Sequence, residues 1–248
     1  MNQKTAFTLP LLLSFFACQP AESQPAKPSL FQNCGQLVIV VSPSESSTSA
    51  KLYRFEKHGS TWRQVGEAHP VSLGLKGIAW GRGLHEPQPG NQKKEGDLKS
   101  PAGIFRFGTA FGYAASPGFP LKLAYVQATS TLQCVEDVKS KFYNQLADKN
   151  YPGKDWEQKD VMLREDVQFK WGIFIEQNLP PVPGSGSCIF FHVWRSTGSA
   201  TRGCTGMSEG DLVGLMRWLD SGKEPLLVQV REGDYEVFRK KYCLPGLD

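Results

Sequence analysis

The sequence predicts a mostly antiparallel β fold in a single domain, with a few helices at its periphery. Three observations lead there. Short apolar runs of strand length recur along the chain, Gly- and Pro-rich turns separate them, and the regular strand–helix alternation that builds parallel sheets is missing. Hydrophobic residues make up 40% of the 248, six of them tryptophan, which supplies a core and excludes disorder for the bulk of the chain.

Taken in order, residues 1–17 read as a signal peptide. Lys4 precedes an apolar run from Ala6 to Ala17 that is too short to span a bilayer. Phe15-Phe16-Ala17-Cys18 resembles a bacterial lipobox, with Phe15 where leucine is usual, and would leave a lipid-anchored Cys18; Ala21-Glu22-Ser23 suits an ordinary signal peptidase instead. The lipoprotein route is favoured, so the expected location is the periplasm or the outer membrane of a bacterium. Residues 18–33, with Pro20, Pro25 and Pro28, form a flexible tether, and 34–248 form the domain.

Gln36 to Val41 is a continuous apolar strand, and Ala50–Glu56 with Thr61–Val65 flank His58-Gly59 as a hairpin. His58 is a turn residue, His69 a structural one and His85 a solvent-facing loop histidine. Leu121–Gln127 and Lys170–Glu176 read as strands. Phe142, Tyr143 and Leu146 have helical spacing within 140–148, and 155–163 reads as a short helix or lid over the fold. Ser208–Leu219, with Leu212, Leu215, Met216 and Leu219 on one face, is an amphipathic helix ended by Ser221-Gly222. Pro225–Val230 is a strand. Gly233–Lys241 is a last helix with cations in its final turn.

The net charge of +4 is mild, and no basic run or stacking motif supports nucleic acid as a partner. The glycines between 77 and 112 are not a phosphate loop, because no Gly-Lys-Ser/Thr follows a strand. No metal or other cofactor is expected, since the His and Cys residues lack further ligands at zinc-like spacing.

Chemistry concentrates in Gly186–Met207. A strand over Ser187–Trp194 delivers His192 to its end, a polar loop follows, and Thr201-Arg202-Gly203-Cys204 presents a thiol before the Ser208 helix cap. A nearby imidazolium and a helix dipole would stabilise a Cys204 thiolate, which is how a thiol becomes a nucleophile near neutral pH. On spacing alone, a structural cysteine and a strand-end histidine fit equally well.

The segment resembles the active-site motif of the L,D-transpeptidase (YkuD-like) family, a histidine followed by Ser/Thr-His-Gly-Cys. His192, Thr201, Gly203 and Cys204 match it, Arg202 replaces the second histidine, and Gly206 stands where many members have arginine. Asp97-Leu98-Lys99-Ser100-Pro101 is similar to the family's Gly-Asp-Gly-Lys-Thr-Pro stretch, with Leu98 where glycine is usual. The resemblance implies a β-sandwich and a cysteine acyl transferase acting on peptidoglycan stem peptides. It implies Cys204 as nucleophile, His192 as general base and then acid, the Cys204 and Gly203 N–H groups as oxyanion donors, and Thr201 as an orienting group. Arg202, Asp97, Ser100 and Trp194 are candidates for substrate binding. A hydrolase using the same pair and a non-catalytic wall-binding lipoprotein are the rival readings.

With Cys18 removed from the count, Cys34, Cys134, Cys188, Cys204 and Cys243 remain, so two disulfides and one free thiol are expected. The motif leaves Cys204 free. Spacing leaves three pairings open for the other four. Cys134–Cys188, bracing the active-site strand, and Cys34–Cys243, joining the domain ends, are favoured.

Overall fold

The computed structural model describes residues 30–158 and 160–247. The signal-peptide reading, Cys18 and nearly all of the tether lie outside the described residues.

The chain runs through β1 (Gln36–Ser42), β2 (Ser49–His58), β3 (Thr61–Gln64), β4 (His69–Ser72), β5 (Ile78–Trp80) and β6 (Ser100–Gly112). It continues through β7 (Tyr125–Gln127), β8 (Leu132–Cys134), β9 (Leu146–Asp148), β10 (Trp171–Ile175), β11 (Phe190–Val193) and β12 (Thr205–Met207). α1 (Glu209–Trp218), a 3₁₀ turn (Ser221–Lys223), β13 (Leu226–Arg231) and α2 (Glu232–Tyr242) complete it. The structure is mostly β and mostly antiparallel, with two helices on its flanks, as its strand-length runs predict. Pairing proceeds β1–β13–β6–β10–β11–β12–β4–β2 and, through the β1–β2 ladder, returns to β1. β1–β13 and β11–β12 are parallel, and the other pairings of this circuit are antiparallel.

β1 is buried along nearly its whole length, which is why it reads as unbroken Leu-Val-Ile-Val-Val instead of alternating. The hairpin forms where expected, with His58 opposite Thr61. Ser208 caps α1 by accepting from Asp211 N at 3.1 Å. α1 buries Leu212, Leu215 and Met216 and packs against β10 and β11, so the site strand is backed by a helix.

Two apolar clusters divide the outcome. The larger one takes Ile189, Phe191 and Val193 from the β11 segment, while the smaller takes Cys188 and Phe190 with Phe111, Cys134, Met162 and Phe174. Alternate residues of one strand thus face opposite ways. The smaller cluster is roofed by 128–169, which crosses the outer face of β10–β11.

Within that roof the expected 140–148 helix does not form. Asn144 adopts a left-handed backbone, φ 63°, and its amide donates to the carbonyls of Gln177 (2.8 Å) and Asn178 (3.1 Å) while accepting from Cys188 N (2.9 Å). A turn pinned this way leads into β9, which pairs with β8. Nor is there a helix among the described residues of 155–163. There Trp156 is buried and donates to Gln133 Oε1 at 2.9 Å, and Met162 N donates to Leu132 O. The strand expected over 121–127 is confined to Tyr125–Gln127. His85 is buried, not solvent-facing: its ring lies near Trp80, Phe105 and Phe238, and Nδ1 accepts from Ile104 N.

Cys134 and Cys188 form the expected disulfide. Cys34 and Cys243 do not pair and stand as separate thiols. The chain ends do meet, Phe31 lying 5.6 Å from Tyr242 between ring centres, but the two sulfurs face different surroundings. Cys34 is buried and donates to Gln36 O, whereas Cys243 is the exposed left-handed cap of α2.

Candidate active site

A cleft of about 430 Å³ opens beneath the roof and is lined by His192, Thr201, Arg202, Gly203 and Cys204 from the motif. The parallel β11–β12 ladder explains their convergence. His192 pairs with Gly206 and Phe191 with Thr205, so Cys204, the residue before β12, is delivered beside the start of β11. Phe190 N donates to Cys204 Sγ at 3.4 Å, which ties the sulfur to the neighbouring strand.

The loop before Cys204 is held by hydroxyls. Thr201 Oγ1 donates to Cys204 O at 2.6 Å and accepts from Gly203 N at 3.1 Å; Ser100 Oγ donates to the same carbonyl at 2.8 Å and accepts from Gly74 N. Gly203 has φ +140°, and a Cβ there would stand 3.2 Å from Lys99 O, so glycine is required by both backbone and space. Two expectations change here. The Gly203 N–H is engaged by Thr201, so it is not an oxyanion donor in this state, and Ser100 positions the Cys204 backbone from full burial instead of meeting substrate.

Asp97 is likewise a brace. Its carboxylate accepts from Lys93 Nζ at 2.5 Å, from Lys94 N and from Lys99 N, and it does not line the cleft. Trp194 lies against Gly206, outside the cleft lining; a Cβ on Gly206 would approach Trp194 Cβ and Thr201 Cγ2 at 3.3 Å, so the neighbours occupy the space a larger residue would need. Arg202 is exposed on the cleft, where a substrate carboxylate could reach it.

Electrostatics also depart from the thiolate–imidazolium expectation. Burial pushes the Cys204 thiol up to about 12, with Glu136 adding to the rise and the Phe190 N–H, Lys93 and Arg164 opposing it. The residue keeps a partly open edge on the cleft, but protein encloses the sulfur. Burial lowers His192 to about 4, against the opposing bond to the Val193 carbonyl. The helix dipole does not help, because β12 separates Cys204 from the start of α1. At neutral pH both groups are therefore uncharged.

The imidazole tautomer is fixed by that carbonyl. His192 Nδ1 lies 2.8 Å from Val193 O, which can only accept, so Nδ1 carries the hydrogen and Nε2 holds the free pair. Phe169 meets the ring edge-on at 5.6 Å, and Arg164 lies over Phe169 while paired to Asp166. Glu136, at the cleft mouth, is held above the usual carboxylate range by partial desolvation and by Glu95 and Asp160, against Arg202. Among the described residues, no group of three or more His, Cys, Asp or Glu is arranged to hold a metal ion.

The model of the L,D-transpeptidase catalytic domain, YkuD, matches residues 36–230. The chain belongs to this family. Among solved structures, the helical cell shape determining protein Pgp2 from Campylobacter jejuni aligns at 15% identity with a TM-score of 0.37, covering 78% of this chain and 46% of that one. Bd1075 from Bdellovibrio bacteriovorus aligns at 13% identity with a TM-score of 0.41, covering 86% and 56%. The chain spans about half the length of these structures. No curated protein matches it. Membership of the YkuD family makes this an L,D-transpeptidase-family protein.

Several residues of this YkuD site escaped the sequence reading: Phe190 through its N–H, Phe169 and Arg164 behind His192, Glu136 at the mouth, and Lys93, whose ammonium is buried in the cleft wall. Only Glu136 had a nearby signal, its place two residues after the half-cystine Cys134.

Proposed function

We propose that the protein is a cysteine acyl transferase acting on peptidoglycan stem peptides, with Cys204 as nucleophile and His192 as proton carrier. The observation that supports this best is that one cleft is lined both by Cys204 and by His192, an imidazole whose Nδ1–H is held by a backbone carbonyl, leaving Nε2 to accept a proton. As Cys204 Sγ bonds to the donor carbonyl carbon, its proton passes to Nε2 and the carbonyl π pair moves to oxygen. Collapse breaks the C–N bond, and the leaving amine, D-alanine by the family's chemistry, takes the proton from Nε2. An acceptor amine then attacks the thioester and returns Cys204 to the thiol. The neutral resting pair makes this proton transfer concerted with attack instead of relying on a preformed thiolate.

The leader sequence supports export, which would bring the site to its polymer, and a lipidated Cys18 would hold it at a membrane surface. Incubation of the purified chain with muropeptides tests the reaction. Cross-linked dimers, lost in Cys204→Ala, are expected; shortened or released peptides would replace transfer by hydrolysis, and unchanged muropeptides would leave a wall-binding role.

A further inference from the structure

The reaction builds negative charge on the Cys204 sulfur and then on the attacked carbonyl oxygen in surroundings that disfavour both, and one of the two amides expected to receive the oxyanion is engaged elsewhere. A buried cation stands next to this gap. The Lys93 side chain is 4% exposed yet lines the cleft, and its ammonium donates to Asp97 Oδ1 at 2.5 Å and to Lys94 O at 2.9 Å. An ammonium has three donors, so one remains. Burying such a charge costs free energy even when it is paired, which makes its place in the cleft wall informative.

Two glycines make room for it. A Cβ on Gly186 would stand 3.0 Å from Lys93 Cγ and 3.2 Å from its Cε, and a Cβ on Gly203 would stand 3.9 Å from Nζ. Both have positive φ, 86° and 140°, so the chain is shaped on either side of the lysine to bring its tip against the residue before Cys204. Arg164, the other cation that favours the thiolate, is committed to Asp166 through three hydrogen bonds.

We propose that Lys93 is the catalytic counter-charge of this site: passing between Gly186 and Gly203, its ammonium stabilises the anion that forms on Cys204 and then on the attacked carbonyl oxygen, with Asp97 holding it in place. No bond to Lys93 forms or breaks. Its proton stays on nitrogen, and its spare donor replaces the amide that Thr201 engages. The inference rests on Cys204 being the nucleophile.

The test uses no peptidoglycan. Iodoacetamide is uncharged, so its rate of attachment to Cys204 follows the thiolate fraction and not steering. The rate is read from the Cys204 peptide by mass spectrometry at a fixed pH near 9 in the full chain, alongside a circular dichroism melt of each variant. The charged and titratable groups that line the cleft with Cys204 are Lys93, Glu95, Glu136, Asp160, Arg164, His192, Arg195 and Arg202, and of these only Lys93 is altered.

Loss of a nearby opposite charge corresponds to a shift of about one pH unit or more, so Lys93→Met is expected to slow Cys204 alkylation roughly tenfold. Asp97→Asn removes the carboxylate that offsets the ammonium and is expected to speed it. Lys93→Arg, which keeps the charge, is expected to stay near the parent rate. A Lys93 that only braced the loop would give the same direction of change in both Lys93→Met and Asp97→Asn, or none, and either result overturns the inference. If Lys93→Met does not fold, a folded Asp97→Asn with an unchanged or slower rate overturns it alone. A Cys204 that never alkylates removes the nucleophile reading and this inference with it, whereas one that alkylates at rates independent of Lys93 overturns only the latter.

Discussion

Replacing Cys204 by alanine should abolish acyl-enzyme formation while the melting curve stays near that of the parent, because the residue contributes a single sulfur held by two weak bonds, from Phe190 N and to Cys188 O. Intact-protein mass spectrometry after mixing with a donor peptide checks this, and an adduct that persists in the variant would refute it. His192 gives a pH signature. Its proton-accepting form is the neutral imidazole, and burial holds the group at about 4, so the acid limb of kcat/KM should fall near pH 4 and not near the ordinary 6.5. A limb centred near 6.5 would mean that His192 is solvated during turnover. Thr201→Val removes the hydroxyl that donates to Cys204 O and accepts from Gly203 N; Cys204 O keeps Ser100 Oγ as a donor, and the unmet Gly203 N–H should cost roughly 1–3 kcal/mol of stability together with a lower kcat. Chemical denaturation and steady-state kinetics measure the two effects. Much of this site could be read from residue types in one stretch: His192, Thr201, Gly203 and Cys204 all reach the cleft. What could not be read was the use each polar group makes of its neighbours. Gly203 N–H and Ser100 become supports because Thr201 and the Cys204 carbonyl lie within hydrogen-bond reach, a relation that exists only once the loop is folded.

At the level of elements, strands were legible and the roof was not. β1, β10 and β11 announce themselves by dense β-branched and aromatic residues, whose burial is decided by their own ladder. The 140–148 stretch has helical spacing, but Asn144 exchanges hydrogen bonds with Gln177, Asn178 and Cys188, far along the chain, and those bonds outweigh a weak local propensity. The Cys34–Cys243 pairing failed for a related reason: nearness of chain ends says nothing about which way a side chain points. The disulfide that did form belongs to the roof. Cys134–Cys188 closes a 54-residue separation, for which loop-closure entropy gives about 4 kcal/mol. A Cys134→Ser/Cys188→Ser variant should therefore melt at lower temperature. Hydrogen exchange in it should rise first across 128–169, with β1 and β13 still protected. Uniform loss of protection would show that the roof and the closed ladder unfold as one unit.

For the whole molecule, two buried histidines set the response to acid. His85 and His192 are both lowered by burial from 6.5 to about 4, so between these values the unfolded chain binds more protons than the folded one, and stability falls as pH falls through that window. Above about 6.5 the contribution is complete. The urea midpoint should accordingly drop between pH 7 and 4.5, and a flat midpoint across that range would refute the buried neutral state of both rings. The closed circuit of strands carries a consequence for the order in which the molecule can be made. β1 finds β2 within a few residues, but its other neighbour is β13, with Val38 opposite Leu227, and β6 also borders β13. During synthesis the first strand must wait, one side unsatisfied, until β13 has emerged. A ribosome-bound fragment ending before Leu226 would hold the motif residues His192 and Cys204 yet lack the strand that joins β1 to β6, so the working cleft waits for a strand made after the motif itself.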